Sequence, residues 1–292
     1  MLTVTQLRAF LAVARSGGVQ SAAEQLHVSQ PSVSAALGAL ARELGVQLVE
    51  REGRGVRLTE AGTAFEPYAA EVLGLLDQGR QAAVEADGMR KARIRVVAVN
   101  TAGEYLLPPL IQAYRREQPG AEILLEIGNR ATVYERLTSH RADVGVGGRP
   151  PGHELDGSPF LDNELIVVGR EASTDLDGAT WLLREAGSGT RSATERFLAE
   201  RGLEPPEQLT LGSNGAVKQA LAIGLGVSLI SAHAVGRELR DGQLVQIPAP
   251  GTPLVRPWYV LLPRGVPTRP AVQGFCDFLR SARAPAIIEA SL

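Results

Sequence analysis

The chain's most constraining pattern begins at Arg93, where short Val-, Ile- and Leu-rich segments alternate with amphipathic helical stretches. This alternation is typical of an α/β domain with a mainly parallel sheet. It predicts strands over residues 94–99, 122–127, 143–147, 165–169, 181–183, 227–231 and 258–262, and helices over 104–118, 131–139, 190–201, 214–223 and 270–281. Crossing segments near 147–169 and 247–258 predict two α/β lobes.

Polar turns follow several of these strands, and each turn enters a helix. A doubly wound sheet brings such ends to one crevice, where backbone N–H groups, hydroxyls and amides suit an anionic ligand. The candidate ligand-binding residues are Asn100, Thr101, Asn129, Arg130, Thr132, Arg149, Ser188, Thr190 and Asn214. Two alternatives stay open: each turn alone is equally an ordinary helix cap, and the arginines can pair with Glu126 or Asp143 and leave a neutral pocket or none.

The first 58 residues predict three short helices and a β-ribbon. Thr5 is the expected cap of the first helix, Gly17-Gly18 ends it, and residues 21–26 form the second. The third starts at Ser29 or Gln30 and ends at Gly45, with a core stripe of Val33, Leu37, Leu40 and Leu44. Such a set is a helix-turn-helix, although three short helices alone equally describe an ordinary helical fragment.

The exposed face of the third helix is small and mostly polar, which allows close approach to base edges in a DNA major groove. After it, residues 47–49 are predicted to pair with residues 56–58 around a tip at 52–55. Arginines at 51, 54 and 57 could then reach phosphates or the minor groove as a wing.

Residues 59–89 predict one long helix. Phe65, Tyr68, Val72, Leu76 and Ala83 recur at spacings of three, four and seven, a stripe suited to pairing with another helix. Dimerisation is the favoured interpretation; packing on the chain's own C-terminal domain is the alternative.

The segment AAEQLHVSQPSVSAAL, followed by ELGVQL and LTEAG, resembles the winged helix-turn-helix of LysR-type transcription regulators. By this resemblance Ser29, Gln30, Pro31, Ser32 and Ser34 correspond to the groove-facing segment, and Arg51 and Arg54 to the wing. The chain departs from the family pattern at Gly18, Ala41, Val49 and Glu52, which affects DNA affinity more than fold.

Residues 93–283 resemble the periplasmic-binding-protein-like effector domain of the same family. The stretches GNRATVYERL, ADVGVGGRPP, REAGSGTR and SNGAVKQALAIGLGVSLI are most similar to regulators of carbon-dioxide-fixation operons. The resemblance implies small, often acidic effectors and a tetramer made of two dimers. Ser231 stands where the family usually has Pro.

Other function classes find little support. The single cysteine, Cys276, lies in an apolar stretch, and the four histidines are scattered, so neither a disulfide nor a metal site is expected. An enzyme is the main rival class. It is not favoured, because the sequence contains no catalytic motif apart from a GSG at residues 187–189, and no histidine lies where it could serve that serine as a partner. A transport-type solute receptor would share the C-terminal fold, but the start of the chain lacks a secretory pattern, which favours a cytoplasmic protein.

The sequence therefore predicts an α+β protein that binds DNA and senses a small anionic metabolite, and no cofactor is expected. The expected domains are a winged helix-turn-helix over 1–58, a linker helix over 59–89 and a two-lobed α/β effector domain over 93–292. The expected partners are an operator in double-stranded DNA, a second copy or three further copies of the chain, and RNA polymerase, with no membrane.

Overall fold

A computed structural model describes residues 1–53, 55–87, 92–172 and 175–291. It divides into an N-terminal unit, which includes the long helix, and a C-terminal unit that begins before the first strand of the α/β region. Within the described residues, no helix combines the length and apolar character needed to cross a membrane.

The N-terminal unit contains helices α1 (Val4–Ser16), α2 (Val19–Leu26) and α3 (Gln30–Leu44), the hairpin β1 (Val49–Glu52) with β2 (Gly55–Leu58), and α4 (Glu60–Ala86). The cap predicted at Thr5 is wrong: Thr3 caps α1, because its side chain accepts from the Gln6 N–H while Gln6 bonds back to the Thr3 N–H. Gly18 caps α2 without a side-chain hydrogen bond, and α2 starts two residues earlier than predicted.

A small apolar core ties these helices to the start of α4. The predicted stripe residues Val33, Leu37 and Leu40 are buried, together with Phe10, whose ring lies 5.5 Å from that of Phe65. The hairpin is antiparallel, in the register given by the pairs from Val49 opposite Leu58 to Glu52 opposite Gly55. Gly62 allows α4 to pass close to the hairpin, because a Cβ there would overlap the Leu48 carbonyl.

The first lobe of the C-terminal unit is built on a five-stranded sheet in the order β4-β3-β5-β13-β6. Its strands are β3 (Arg93–Val99), β4 (Glu122–Gly128), β5 (Val144–Gly147), β6 (Leu155–Leu161) and β13 (Trp258–Pro263). Strands β3, β4 and β5 are parallel, whereas β13 runs antiparallel to β5 and β6. A π-helical turn (Ala102–Leu106) and helices α5 (Leu107–Glu117), α6 (Arg130–Thr138), α10 (Pro270–Leu279) and α11 (Ala284–Glu289) accompany this sheet.

The second lobe occupies the described residues between β6 and β13. Its strands are β7 (Glu164–Gly169), β8 (Thr180–Arg184), β9 (Glu207–Leu211), β10 (Ser228–Ser231), β11 (Val245–Gln246) and β12 (Leu254–Val255), and its helices are α7 (Gly189–Arg201), α8 (Asn214–Ala222) and α9 (Ala232–Arg240). Strand β7 pairs antiparallel with β10, β11 and β12, and β8 pairs parallel with β9. The chain crosses between the lobes twice, once between β6 and β7 and once between β12 and β13.

Candidate functional site

A cavity of about 470 Å³ lies between the two lobes of the C-terminal unit. The carboxyl ends of β3, β4 and β8 reach it, together with the first turns of α6 and α7. It is lined by Val99, Asn100, Thr101, Gly128, Asn129, Arg130, Gly148, Arg149, Pro150, Asn163, Leu165, Arg184, Glu185, Gly187, Ser188, Gly189, Thr190, Val255, Arg256, Pro257, Trp258 and Tyr259. A volume of this size is in the range of natural small-molecule sites.

Seven of the nine predicted ligand-binding residues line this cavity: Asn100, Thr101, Asn129, Arg130, Arg149, Ser188 and Thr190. Thr132 does not line it; its N–H and hydroxyl both donate to Asn129 Oδ1, at 2.9 and 3.1 Å, and so fix that side chain at the start of α6. Asn214 does not line it either, because its side chain is fully buried behind the cavity wall.

Asn214 joins the two lobes. Its Oδ1 accepts a hydrogen bond from Arg184 Nη1, within the second lobe. Its Nδ2 donates to Thr101 Oγ1 at 3.3 Å and to Glu104 Oε2 at 3.0 Å, both in the first lobe. Thr101 and the π-helical turn that follows it therefore supply acceptors to a residue that also orients an arginine of the cavity wall.

Arg184 is a cavity residue that the sequence analysis missed. It ends β8, and its guanidinium makes a two-bond fork with Glu185, with Nε to Oε2 at 2.7 Å and Nη2 to Oε1 at 2.8 Å. With the Asn100 amide turned to match its neighbours, Asn100 Oδ1 also accepts from Arg184 Nη2 at 2.7 Å. A charged residue at the end of the apolar run WLL, just before a predicted binding turn, was the signal in the sequence.

Three further arginines give the cavity its positive charge. Arg130 and Arg149 are exposed to it and form no ion pair within the described residues, and Arg149 Nε donates to the Tyr259 hydroxyl at 3.2 Å. Arg256, also missed, donates to the Gly189 carbonyl at 2.6 Å. Burial, and then the nearby Arg196 and Arg130, lower the pKa of Arg256 from its usual range. Because the Arg256 guanidinium is partly desolvated and lies near other positive charges, a bound anion would stabilise it.

The two acids that could have neutralised these arginines have other partners. Glu126 accepts from Arg136 at 2.8 Å. Asp143 is almost completely buried and pairs with Arg95 and Arg269, each at 2.8 Å. Glu185 is thus the acidic residue that faces the described cavity, and it is engaged by Arg184. The arrangement leaves Arg130, Arg149 and Arg256 available for a ligand with more than one negative charge.

The first turn of α3 forms an exposed polar surface on the N-terminal unit. Ser29, Gln30, Pro31, Ser32 and Ser34 are all exposed. Ser29 caps α3 by accepting from the Ser32 N–H, and the two hydroxyls are 2.8 Å apart. The Gln30 side chain has no hydrogen bond in the part of the chain that the structure describes, so its amide is free to meet a base edge.

The hairpin places Arg51 and Arg57 on exposed positions, while Arg54 lies outside the described residues. Arg57 is held by two carboxylates of the neighbouring strand, Glu50 at 2.6 Å and Glu52 at 3.7 Å. Arg51 is therefore the more available cation of the described wing.

Helix α4 carries an apolar stripe in which Phe65 packs on the N-terminal core and the following residues are exposed. Tyr68 is 67 % exposed, Val72 45 % and Leu76 52 %. A contiguous apolar stripe along a long helix is a typical pairing surface.

A winged helix-turn-helix, a long helix and a two-lobed domain with a ligand-sized cavity together define an effector-responsive transcription regulator. Two family models match the chain: residues 4–63 match the LysR-family bacterial regulatory helix-turn-helix protein, and residues 87–284 match the LysR substrate binding domain. The chain belongs to the LysR family of bacterial transcription regulators.

Its relatives include regulators of carbon fixation. It is 34 % identical to the transcriptional activator CmpR of Synechocystis sp. over 95 % of this chain and 94 % of that protein. It is 35 % identical to a RuBisCO operon transcriptional regulator of Allochromatium vinosum over 97 % of both chains. The solved regulatory domain of CcmR from Synechocystis PCC6803, in complex with 2-PG, is 31 % identical with a TM-score of 0.60, and covers 64 % of this chain and 95 % of that one. The resemblance to carbon-dioxide-fixation regulators is thus confirmed.

Proposed function

We propose that the cavity between the lobes binds a small phosphorylated carboxylic acid, and that this binding changes how the regulator acts at its promoter. The observation that carries the proposal is the set of three arginines, Arg130, Arg149 and Arg256, facing a cavity of about 470 Å³ without an acidic partner among the described residues. The similar CcmR domain, which was solved in complex with 2-PG, gives independent support.

Within this proposal the arginines bind the charged groups and the hydroxyls and amides orient them. Asn100, Thr101, Asn129, Ser188 and Thr190 offer neutral donors around the charges. Thr132 and Asn214 have supporting roles, because one fixes Asn129 and the other fixes Arg184. A ligand can shift the two lobes only through different affinities for their arrangements, and a cavity with walls from both lobes provides that difference.

The test is calorimetric titration of the full chain with 2-phosphoglycolate, 3-phosphoglycerate and glycolate. A charge-assisted hydrogen bond contributes about 1.5–3 kcal/mol, so Arg149→Met should weaken binding of the phosphorylated acids by about tenfold or more. Arg136→Met is the matched control, because Arg136 pairs with Glu126 and does not line the cavity. Equal binding by the Arg149 variant and the control would contradict the proposal.

The DNA contacts are proposed for the first turn of α3 and for the wing. Ser29, Gln30, Pro31, Ser32 and Ser34 would face the major groove, and Arg51 and Arg54 the adjacent backbone or minor groove. In domain terms, residues 1–58 would bind DNA, 59–89 would link and dimerise, and 93–292 would bind the effector.

In this proposal, two copies of the chain form a dimer through α4. Pairing through Tyr68, Val72 and Leu76 covers the exposed stripe and presents two recognition helices to half-sites about 34 Å apart, or a multiple of that spacing. A second pairing, between effector domains, would give a tetramer, and RNA polymerase is the expected partner in activation. The chain would act in the cytoplasm, where the chromosome is, and as a regulator without catalytic activity of its own.

A further inference from the structure

The Arg184–Glu185 pair has an unusual place in the cavity wall. Arg184 is the most buried arginine of the described lining, with 4 % of its side chain exposed, whereas the Glu185 side chain is 30 % exposed. The two bonds between them use one edge of the guanidinium. That edge is the one that a carboxylate or phosphate ligand would use in a bidentate contact.

The rest of Arg184 is held by neutral groups. Asn214 Oδ1 accepts from Nη1, and Asn100 Oδ1 accepts from Nη2 at 2.7 Å. Because these two amides do not depend on Glu185, the guanidinium keeps its orientation if the carboxylate moves away. Glu185 is already partly exposed, so its carboxylate can be rehydrated at small cost.

We propose that Glu185 is an internal competitor of the effector: in the empty cavity it occupies the edge of Arg184 that the effector's anionic group takes when it binds. The inference rests on the proposed function of the cavity. A buried arginine without a partner is strongly unfavourable, so the empty cavity needs this carboxylate. Once an anion is bound, the same carboxylate repels it, and the affinity is lower than four arginines alone would give.

This role makes Glu185 a determinant of affinity and charge selectivity. The repulsion from Glu185 acts on every negative charge of the ligand, so its removal favours ligands with more charges. If Glu185 had only a structural role, removing its charge would weaken ligand binding or leave it unchanged.

The experiment compares Glu185→Gln with the unaltered full chain by calorimetric titration. Gln keeps an oxygen that accepts from Arg184 and removes the charge. We expect 2-phosphoglycolate and 3-phosphoglycerate to bind about tenfold more tightly to Glu185→Gln, and singly charged glycolate only about threefold more tightly. Glu185→Ala should also bind the phosphorylated acids more tightly, and it replaces the Gln variant in the experiment if that variant folds poorly.

The matched control is Glu195→Gln. Glu195 also pairs with an arginine of the second lobe, Arg191, at 2.7 Å, but it is half exposed and does not line the cavity. This control should bind every acid as the unaltered chain does. Unchanged or weaker binding by Glu185→Gln, while the control binds normally, would overturn the inference. If neither chain binds any of the three acids, the proposed function fails and the inference with it.

Discussion

Replacing Asn214 by Ala tests whether the buried amide holds the two lobes and the cavity arginine together. The substitution removes one hydrogen bond from the Arg184 guanidinium, one to Thr101 and one to Glu104. A hydrogen bond to a charged, buried group contributes about 1.5–3 kcal/mol and a neutral one about 1 kcal/mol. Glu104 is exposed and can bond to water instead, so its share is small. The expected loss in the free energy of unfolding is about 3 kcal/mol.

Urea unfolding followed by tryptophan fluorescence measures this loss in the full chain. The chain has two tryptophans, Trp181 and Trp258, and both lie in the C-terminal unit, so the signal reports the two-lobed domain. Ser213→Ala is the control. The Ser213 hydroxyl caps α8 by accepting from the Ala216 N–H at 3.1 Å, and loss of this cap alone should lower the free energy of unfolding by about 1 kcal/mol.

Asn214→Ala should also change the affinity for the ligand. With Arg184 less firmly oriented, binding of phosphorylated acids should weaken severalfold, whereas Ser213→Ala should leave it unchanged. If Asn214→Ala costs no more than Ser213→Ala and binds ligand equally well, then the buried amide does not link the lobes to the cavity, and the reasoning is refuted.

Four further expectations follow from the described contacts. Gln30→Ala should reduce discrimination between operator and random DNA by about 1–3 kcal/mol in gel-shift titrations, and equal discrimination would contradict the assignment of the recognition helix. Leu76→Glu places a charge in the exposed stripe of α4 and should halve the mass of the assembly in light scattering, from tetramer to dimer or from dimer to monomer; an unchanged mass would exclude this surface as a pairing interface. Gly62→Ala should destabilise the N-terminal unit by several kcal/mol in thermal unfolding followed by circular dichroism, since the new Cβ meets the Leu48 carbonyl, whereas Gly79→Ala in the same helix has open space. Burial raises the pKa of the Cys276 thiol to about 12, so the thiol stays protonated at pH 8 and should resist iodoacetamide until the chain is unfolded or the pH approaches that value.

The elements that the sequence predicted best are those whose burial is uniform. Strands β3 and β7 are apolar runs covered on both faces, and their hydrophobic residues mark them directly. Strand β6 was missed because LDGSPFL contains Gly and Pro and lies at the edge of the sheet, where Leu155 is its one buried residue. Strand β9 was missed for a similar reason, since it is a mostly exposed edge partner of β8.

The sequence was sufficient to locate the candidate cavity, but it was not sufficient to predict every residue that lines it. Parallel strands bring their carboxyl ends together, which is why the polar turns after β3 and β4 meet. Asn214 begins a helix as the other candidates do, and only packing shows that its amide turns inwards to Arg184. Arg256 lies on a segment that crosses between lobes, where no periodic pattern marks which side chains face the cavity.

The wing described above bears on how salt affects the regulator. Each phosphate neutralised by a protein cation releases condensed counterions, and the logarithm of the affinity then falls with the logarithm of salt concentration by about 0.9 per contact. Because Glu50 and Glu52 hold Arg57, that side chain is already neutralised before DNA arrives. With the DNA contacts proposed above, the wing would release fewer ions, and a larger share of operator affinity would come from groove contacts that depend less on salt. Operator choice by this regulator should therefore persist through changes in cellular ionic strength.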